Sequence, residues 1–238
     1  PRPFKAGASW LERASGVFCG AWRWLKRLQD RLVTDYLGDV IGYQHEEAQG
    51  AVYARLGEAL GEAALKAGAV TGVRVPLSFM AHSLGTVIAS NYIYEQGRDK
   101  AIKGPKVLKE RFCLSNIFTI GSPLAIYSLR FGGPEAFTQP VRVEDPLGRW
   151  VNIYDEDDPV GMPLRTLNEA YREAVLKDVA VEAGVYGVSH AGYFNRGSKV
   201  YEIVAEKLAI DWMAGNGLKP ENELRRLYEE YDRRLGLN

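Results

Sequence analysis

The 238 residues hold 30 basic and 30 acidic side chains, and 46% of the chain is hydrophobic against 25% charged, the composition of one ordinary soluble globular domain with little room for a second. The balanced charge excludes a global field for nucleic acid or an anionic membrane, and no uninterrupted apolar run reaches the ~18 residues of a membrane span. Cys19 and Cys113 stand in no C-x-x-C pair and read as buried reduced thiols; with no signal peptide visible, a cytoplasmic protein is expected.

In chain order, residues 1–48 are expected to be helical or polar. Trp10, Leu11, Val17, Phe18, Trp22, Leu25, Leu28 and Leu32 recur at helical steps through Trp10 to Leu37. Arg13, Arg23, Lys26, Arg27 and Arg31 line the other side. This segment fits a helix packed on a sheet, and also a lid or a membrane-surface contact; the packed helix is preferred. Ala48 to Ala67 is a second amphipathic helix. Arg74 to Met80 reads as a buried strand and Leu84 to Gln96 as the helix after it. Gly97 to Glu110, polar and lysine-rich, is a surface excursion. Asn116 to Ile120 is a second strand, Leu124 to Phe131 a short helix, and Gly132 to Arg149 a loop. Trp150 to Tyr154 is a third strand and Asp178 to Ala183 a weaker fourth. Ser198 to Met213 and Pro220 to Leu235 are helices. Alternating strands and helices predict an α/β fold, a mostly parallel sheet covered on both faces, with its core in residues 74–213 and a C-terminal helix in 217–238.

The most specific segment is Phe79-Met-Ala-His-Ser-Leu-Gly85, where a strand runs into a helix through a serine. Such a turn is tight, so the positions flanking Ser83 must be small, and Ala81 and Gly85 are. The usual pattern is G-x-S-x-G; here Ala81 replaces the first glycine. The turn lifts the Ser83 hydroxyl above the strand ends. The positive end of the following helix points at the same place, and the Leu84 N–H can face a developing oxyanion. The blander alternative is that Ser83 caps the helix.

A serine needs a base, and the chain has three histidines. His82, beside Ser83 on a sharp turn, points away and reads as packing or orientation. His45, in the polar run Gln44-His-Glu-Glu47, reads as surface or structural. His190, in Gly187-Val-Ser-His-Ala-Gly-Tyr193, lies in a late glycine-rich loop whose small neighbours permit close backbone approach. An acid must hold the imidazole, and Trp150 to Tyr154 runs into Asp155-Glu-Asp-Asp-Pro-Val160. Asp158 is favoured because Pro159 fixes the loop beyond it. Asp155 is the second choice, and at least two of the four carboxylates are solvated loop charges. Tyr193 and Phe194 either line an acyl pocket or pack in the core.

Ser83, Asp158 and His190 follow the chain order of α/β-hydrolases. The segments AHSLGTVIASNYI, FTIGSPLAIYSLRF, WVNIYDEDDPVGMPL and GVSHAGYF resemble the core of bacterial α/β-hydrolases of the lipase and esterase superfamily, over about residues 74 to 213. The resemblance implies hydrolysis of a small-molecule ester or a lipid through an acyl-serine, with neither metal nor organic cofactor, and no nucleic-acid partner. It leaves open a thioesterase or acyltransferase on the same residues, and a silent hydrolase-fold module that only binds. One departure is plain. Such hydrolases open with a strand ending in His-Gly, which supplies the second oxyanion N–H, and no such strand is legible here. Either the chain is N-terminally truncated or another segment donates. Oligomeric state and acyl chain length have no sequence signature.

Overall fold

The structure is a computed structural model that describes residues 43, 46–68, 73–98, 106–185 and 188–237. The amphipathic segment 10–37, with its lid and membrane-surface readings, lies outside these residues, as do Cys19 and His45. Among the described residues, no helix is long and apolar enough to cross a membrane.

Four strands form one parallel sheet in the order β1 (Val75–His82), β2 (Phe112–Ile120), β3 (Arg149–Tyr154) and β4 (Lys177–Ala180). Each pair is parallel because a crossover separates the strands, as the alternating pattern requires. Helices α1 (Glu46–Lys66), α2 (Leu84–Gly97), α3 (Val107–Arg111), α4 (Leu124–Tyr127) and α5 (Glu169–Ala174) contribute to one core with Val75, Leu77 and Phe79 of β1. Helices α6 (Lys199–Gly215) and α7 (Glu221–Arg234) cover the other face, against Phe118, Ile120, Val151 and Ile153. The α/β expectation of a parallel sheet flanked by helices is met.

Several boundaries differ from the sequence pattern, among them the end of β1, which runs on to His82 rather than stopping at Met80. Strand β2 begins at Phe112, not Asn116, because Ser115 and Asn116 interrupt the apolar run. The register shifts there, between Leu77 and Ser78 of β1. This bulge lets Leu114 and Ile117 share a core although they stand at i and i+3, an odd spacing that would put them on opposite faces of a regular strand. The supposed surface excursion contains α3, which buries Leu108. Strand β4 stops at Ala180 rather than Ala183, since the Ala183 and Gly184 amides are drawn to Asp155 at the end of β3. Helix α5 has no counterpart in the sequence reading, although Asn168 caps it by accepting from the Tyr171 N–H.

A polar cluster pins α6 and α7 to the sheet. Lys207, fully buried, donates to Asp211, and Asp211 also accepts from the Tyr228 hydroxyl and from Asn116 Nδ2. Asn116 donates further to Ser78 Oγ in β1. The helices that flank the late loops are thus fixed to the strand that runs into Ser83.

Candidate active site

Strand β1 ends at His82 and α2 begins at Leu84, so Ser83 is the whole turn. Its backbone sits at φ 52° and ψ −132°, the only positive φ of a non-glycine among the described residues. Such a conformation costs a side-chain-bearing residue about 1–3 kcal/mol and persists only where neighbours hold it. Two sets of bonds do so. The Ser83 N–H donates to Ile120 O at the end of β2 (3.0 Å). The Ser83 carbonyl accepts from the Thr86 N–H (2.9 Å) and the Thr86 hydroxyl (2.7 Å). Because that hydroxyl donates to a carbonyl, its contact with Ser122 Oγ (2.9 Å) must be a bond from the buried Ser122 hydroxyl. Thr86 and Ser122 were not singled out in the sequence. The signal for Thr86 was its place three residues after the serine, where a hydroxyl can reach back to the turn carbonyl.

Ser83 does not cap α2 with its side chain. Its Oγ lies 2.7 Å from His190 Nε2, and His190 Nδ1 lies 2.8 Å from Asp158 Oδ2. Burial pushes the Asp158 carboxyl up, but bonds from His190, the Val160 N–H and the Tyr193 hydroxyl, with the charge of the imidazole, outweigh it and leave the group below its ordinary range. An ionised carboxylate only accepts, so Nδ1 carries the proton, Nε2 is the acceptor, and the Ser83 hydroxyl donates to it. The Asp158 side chain is completely buried and that of His190 is 12% exposed.

The other carboxylates separate cleanly. A turn in which the Asp158 N–H donates to Asp155 O points Asp155 and Asp158 inward and leaves Glu156 and Asp157 exposed. Asp155, the second choice from sequence, has no bond to the imidazole. Its Oδ2 accepts from the Ala183 N–H (2.5 Å) and the Gly184 N–H (3.3 Å), and its Oδ1 from the Asp157 N–H (2.8 Å). It therefore ties down the start of the loop that carries His190. That loop sits directly on its own stem: a Cβ on Gly192 would lie 1.9 Å from Ala183 O. Across the carboxylate, a Cβ on Gly161 would stand 2.5 Å from Asp158 Oδ2 and 2.9 Å from Tyr193 Oη. Only glycine leaves room for the acid at these close approaches.

His82 bonds to the loop that carries His190. Its Nε2 lies 3.0 Å from the His190 carbonyl, which can only accept, so the ring nitrogen donates. Burial and the neighbouring His190 push its pKa down, against the backbone bond and the Asp158 charge that favour the cation. The two imidazoles stand 5.0 Å apart. Tyr193, a pocket-lining candidate, is instead fully buried, and its hydroxyl donates to Asp158 Oδ2 (2.8 Å). Phe194 is 36% exposed and meets the His82 ring edge-on at 5.4 Å.

Leu84 heads a 14-residue helix, so its N–H belongs to the first turn, whose donors lack intrahelical partners. The helix dipole adds positive potential beside Ser83. A cavity of about 460 Å³ lined by Arg74, Tyr94, Arg98, Leu108 and Arg142 opens at the amino-terminal ends of the strands, opposite Ser83. Among the described residues, no group of three or more His, Cys, Asp or Glu side chains is placed to hold a metal ion. In comparisons with known proteins, no family model, no curated protein and no solved structure matches the chain.

Proposed function

We propose that the protein is a serine hydrolase of the α/β-hydrolase type that cleaves carboxylic esters, small or lipidic, through an acyl-serine. One observation carries this: a serine hydroxyl on a strained turn donates to an imidazole nitrogen whose other nitrogen is held by a buried carboxylate. The placement adds support. Ser83 follows β1, Asp158 follows β3 and His190 follows β4, at the carboxyl ends of parallel strands, where α/β sheets place their sites.

In this mechanism His190 Nε2 takes the Ser83 proton as Oγ attacks the ester carbonyl carbon. The carbonyl oxygen gains the negative charge beside the Leu84 N–H and the head of α2. Collapse breaks the bond to the alcohol oxygen, which leaves with the proton from His190. A water then gives its proton to His190, attacks the acyl carbon and releases the carboxylic acid, returning the proton to Ser83. Asp158 keeps Nδ1–H directed and stabilises the imidazolium at each transfer.

A fluorophosphonate probe should label Ser83 in the folded protein and fail on Ser83→Ala, and turnover of a simple ester should fall by ~10⁶ in that variant. A second reading has its own observation. Among the described residues β1 is a sheet edge, so no described strand beyond it brings a second backbone N–H toward Ser83, as a binding module without turnover would allow. A folded protein that resists the probe at every pH selects that reading.

A further inference from the structure

We propose that Tyr193 is a positioning residue of this site: its hydroxyl sets the direction and the acceptor strength of Asp158, and through Asp158 the basic strength of the imidazole facing Ser83. The effect on labelling rests on the hydrolase reading; the geometry does not.

Tyr193 is wholly buried, three residues beyond His190. Its oxygen accepts from the Asp155 N–H (2.9 Å), and its hydroxyl proton goes to Asp158 Oδ2 (2.8 Å). Oδ2 is also the atom that receives His190 Nδ1 (2.8 Å), while Oδ1 is occupied by the Val160 N–H (2.9 Å). One carboxylate oxygen thus divides its negative charge between two donors. The Asp155 amide fixes the phenol oxygen, and through it the carboxylate plane. The ring also stands near both imidazoles, its centroid 5.7 Å from that of His82 and 6.4 Å from that of His190. The titratable groups around the hydroxyl are Asp158, Asp155, His190 and His82. Burial and the Asp158 charge raise the phenol, so it stays a donor through the range in which imidazoles titrate.

The direction of the effect follows from charge sharing. A bond from the Tyr193 hydroxyl draws negative charge from the carboxylate oxygen that accepts it. Without it, Asp158 Oδ2 becomes a stronger acceptor for Nδ1–H and stabilises the imidazolium more. The imidazole then holds its proton to higher pH. A tyrosine that merely filled space would change stability or the maximal rate and leave that balance alone.

The experiment is the pH profile of fluorophosphonate labelling at Ser83 in wild type and Tyr193→Phe. The acidic limb of the variant should move to higher pH by roughly 0.5–1 unit. The Nδ1 proton of His190, read by NMR, should move further downfield. Placing 3-fluorotyrosine at position 193, whose hydroxyl is the stronger donor, should displace both readings the opposite way; it also covers the case in which the phenylalanine variant does not fold. Limbs and proton positions that superimpose on wild type overturn the proposal. Wild-type protein that is never labelled, yet whose Nδ1 proton moves on Tyr193→Phe, overturns the hydrolase reading and keeps the positioning role.

Discussion

The two buried carboxylates of the 155–158 turn should fail in opposite ways when each is changed to asparagine. In Asp158→Asn, the amide oxygen can keep the Val160 N–H, and the amide nitrogen replaces Oδ2 in front of His190 and Tyr193. A nitrogen donor there turns Nδ1 into an acceptor. The proton moves to Nε2, which can no longer receive the Ser83 proton, so turnover and probe labelling should fall by ~10⁴. The new amide still finds partners, and stability should drop by only about 1–2 kcal/mol. In Asp155→Asn, three backbone N–H groups compete for a single neutral oxygen where a carboxylate served them all. One or two charge-assisted bonds at ~1.5–3 kcal/mol each are lost, and an amide nitrogen faces a donor. Stability should fall by about 2–4 kcal/mol. The activity of the folded fraction should stay within ~10-fold, because the histidine keeps Asp158 and the bond from His82 to its carbonyl. Urea unfolding by tryptophan fluorescence gives the first quantity, and labelling rate per folded molecule the second. If Asp155→Asn costs as much rate as Asp158→Asn, or if Asp158→Asn leaves the rate within tenfold of wild type, the division of roles drawn from the geometry is wrong.

Gly161→Ala should cost about 1–3 kcal/mol by overpacking and slow labelling, since its Cβ would fall 2.5 Å from Asp158 Oδ2; Gly50→Ala, with nothing within 4 Å, should be neutral or stabilising in the same urea assay. Ser83→Gly should be more stable than Ser83→Ala by about 1 kcal/mol, the relief of a strained φ less the added entropy of glycine; calorimetry that ranks alanine above glycine would contradict the strain assigned to φ 52°. Since His82 titrates below its ordinary 6.5 in the folded protein, the unfolded chain binds more protons just under that pH. Stability should therefore decline as pH falls below about 6.5 and level off below the folded value, and His82→Gln, which keeps a donor but cannot titrate, should flatten the decline between pH 7.5 and 5.5 in urea midpoints. Asp158 acts in another window: its folded pKa is depressed, so its contribution is intact above 3.8 and is lost only as pH falls below that.

Much of the fold and of the candidate site was legible because it is written in short segments. The run Val75 to His82 broken by Ser83 and Leu84 specifies strand, turn and helix in ten residues, and the apolar runs at Ile117 and Val151 mark buried strands without reference to anything distant. The order serine, carboxylates, histidine is a property of the chain itself. What failed was also local. Serine and asparagine at 115 and 116 hid the first half of β2, because a bulge breaks the period that marks a strand. One-turn helices such as α3 and α5 are too short to show a period.

The sequence by itself determined where a strand-to-helix turn centred on serine could form and narrowed the partners of that serine to one histidine and a run of four carboxyl groups. Tertiary structure decided which carboxylate faces the imidazole, that Asp155 instead anchors the histidine loop, and that His82 and Tyr193 brace the pair. The reason is physical. Backbone conformation follows from neighbours in the chain, but Ser83 and His190 are 107 positions apart. Their meeting at 2.7 Å depends on how two loops pack over the end of the sheet, on bonds from backbone amides that no pattern of residue types records.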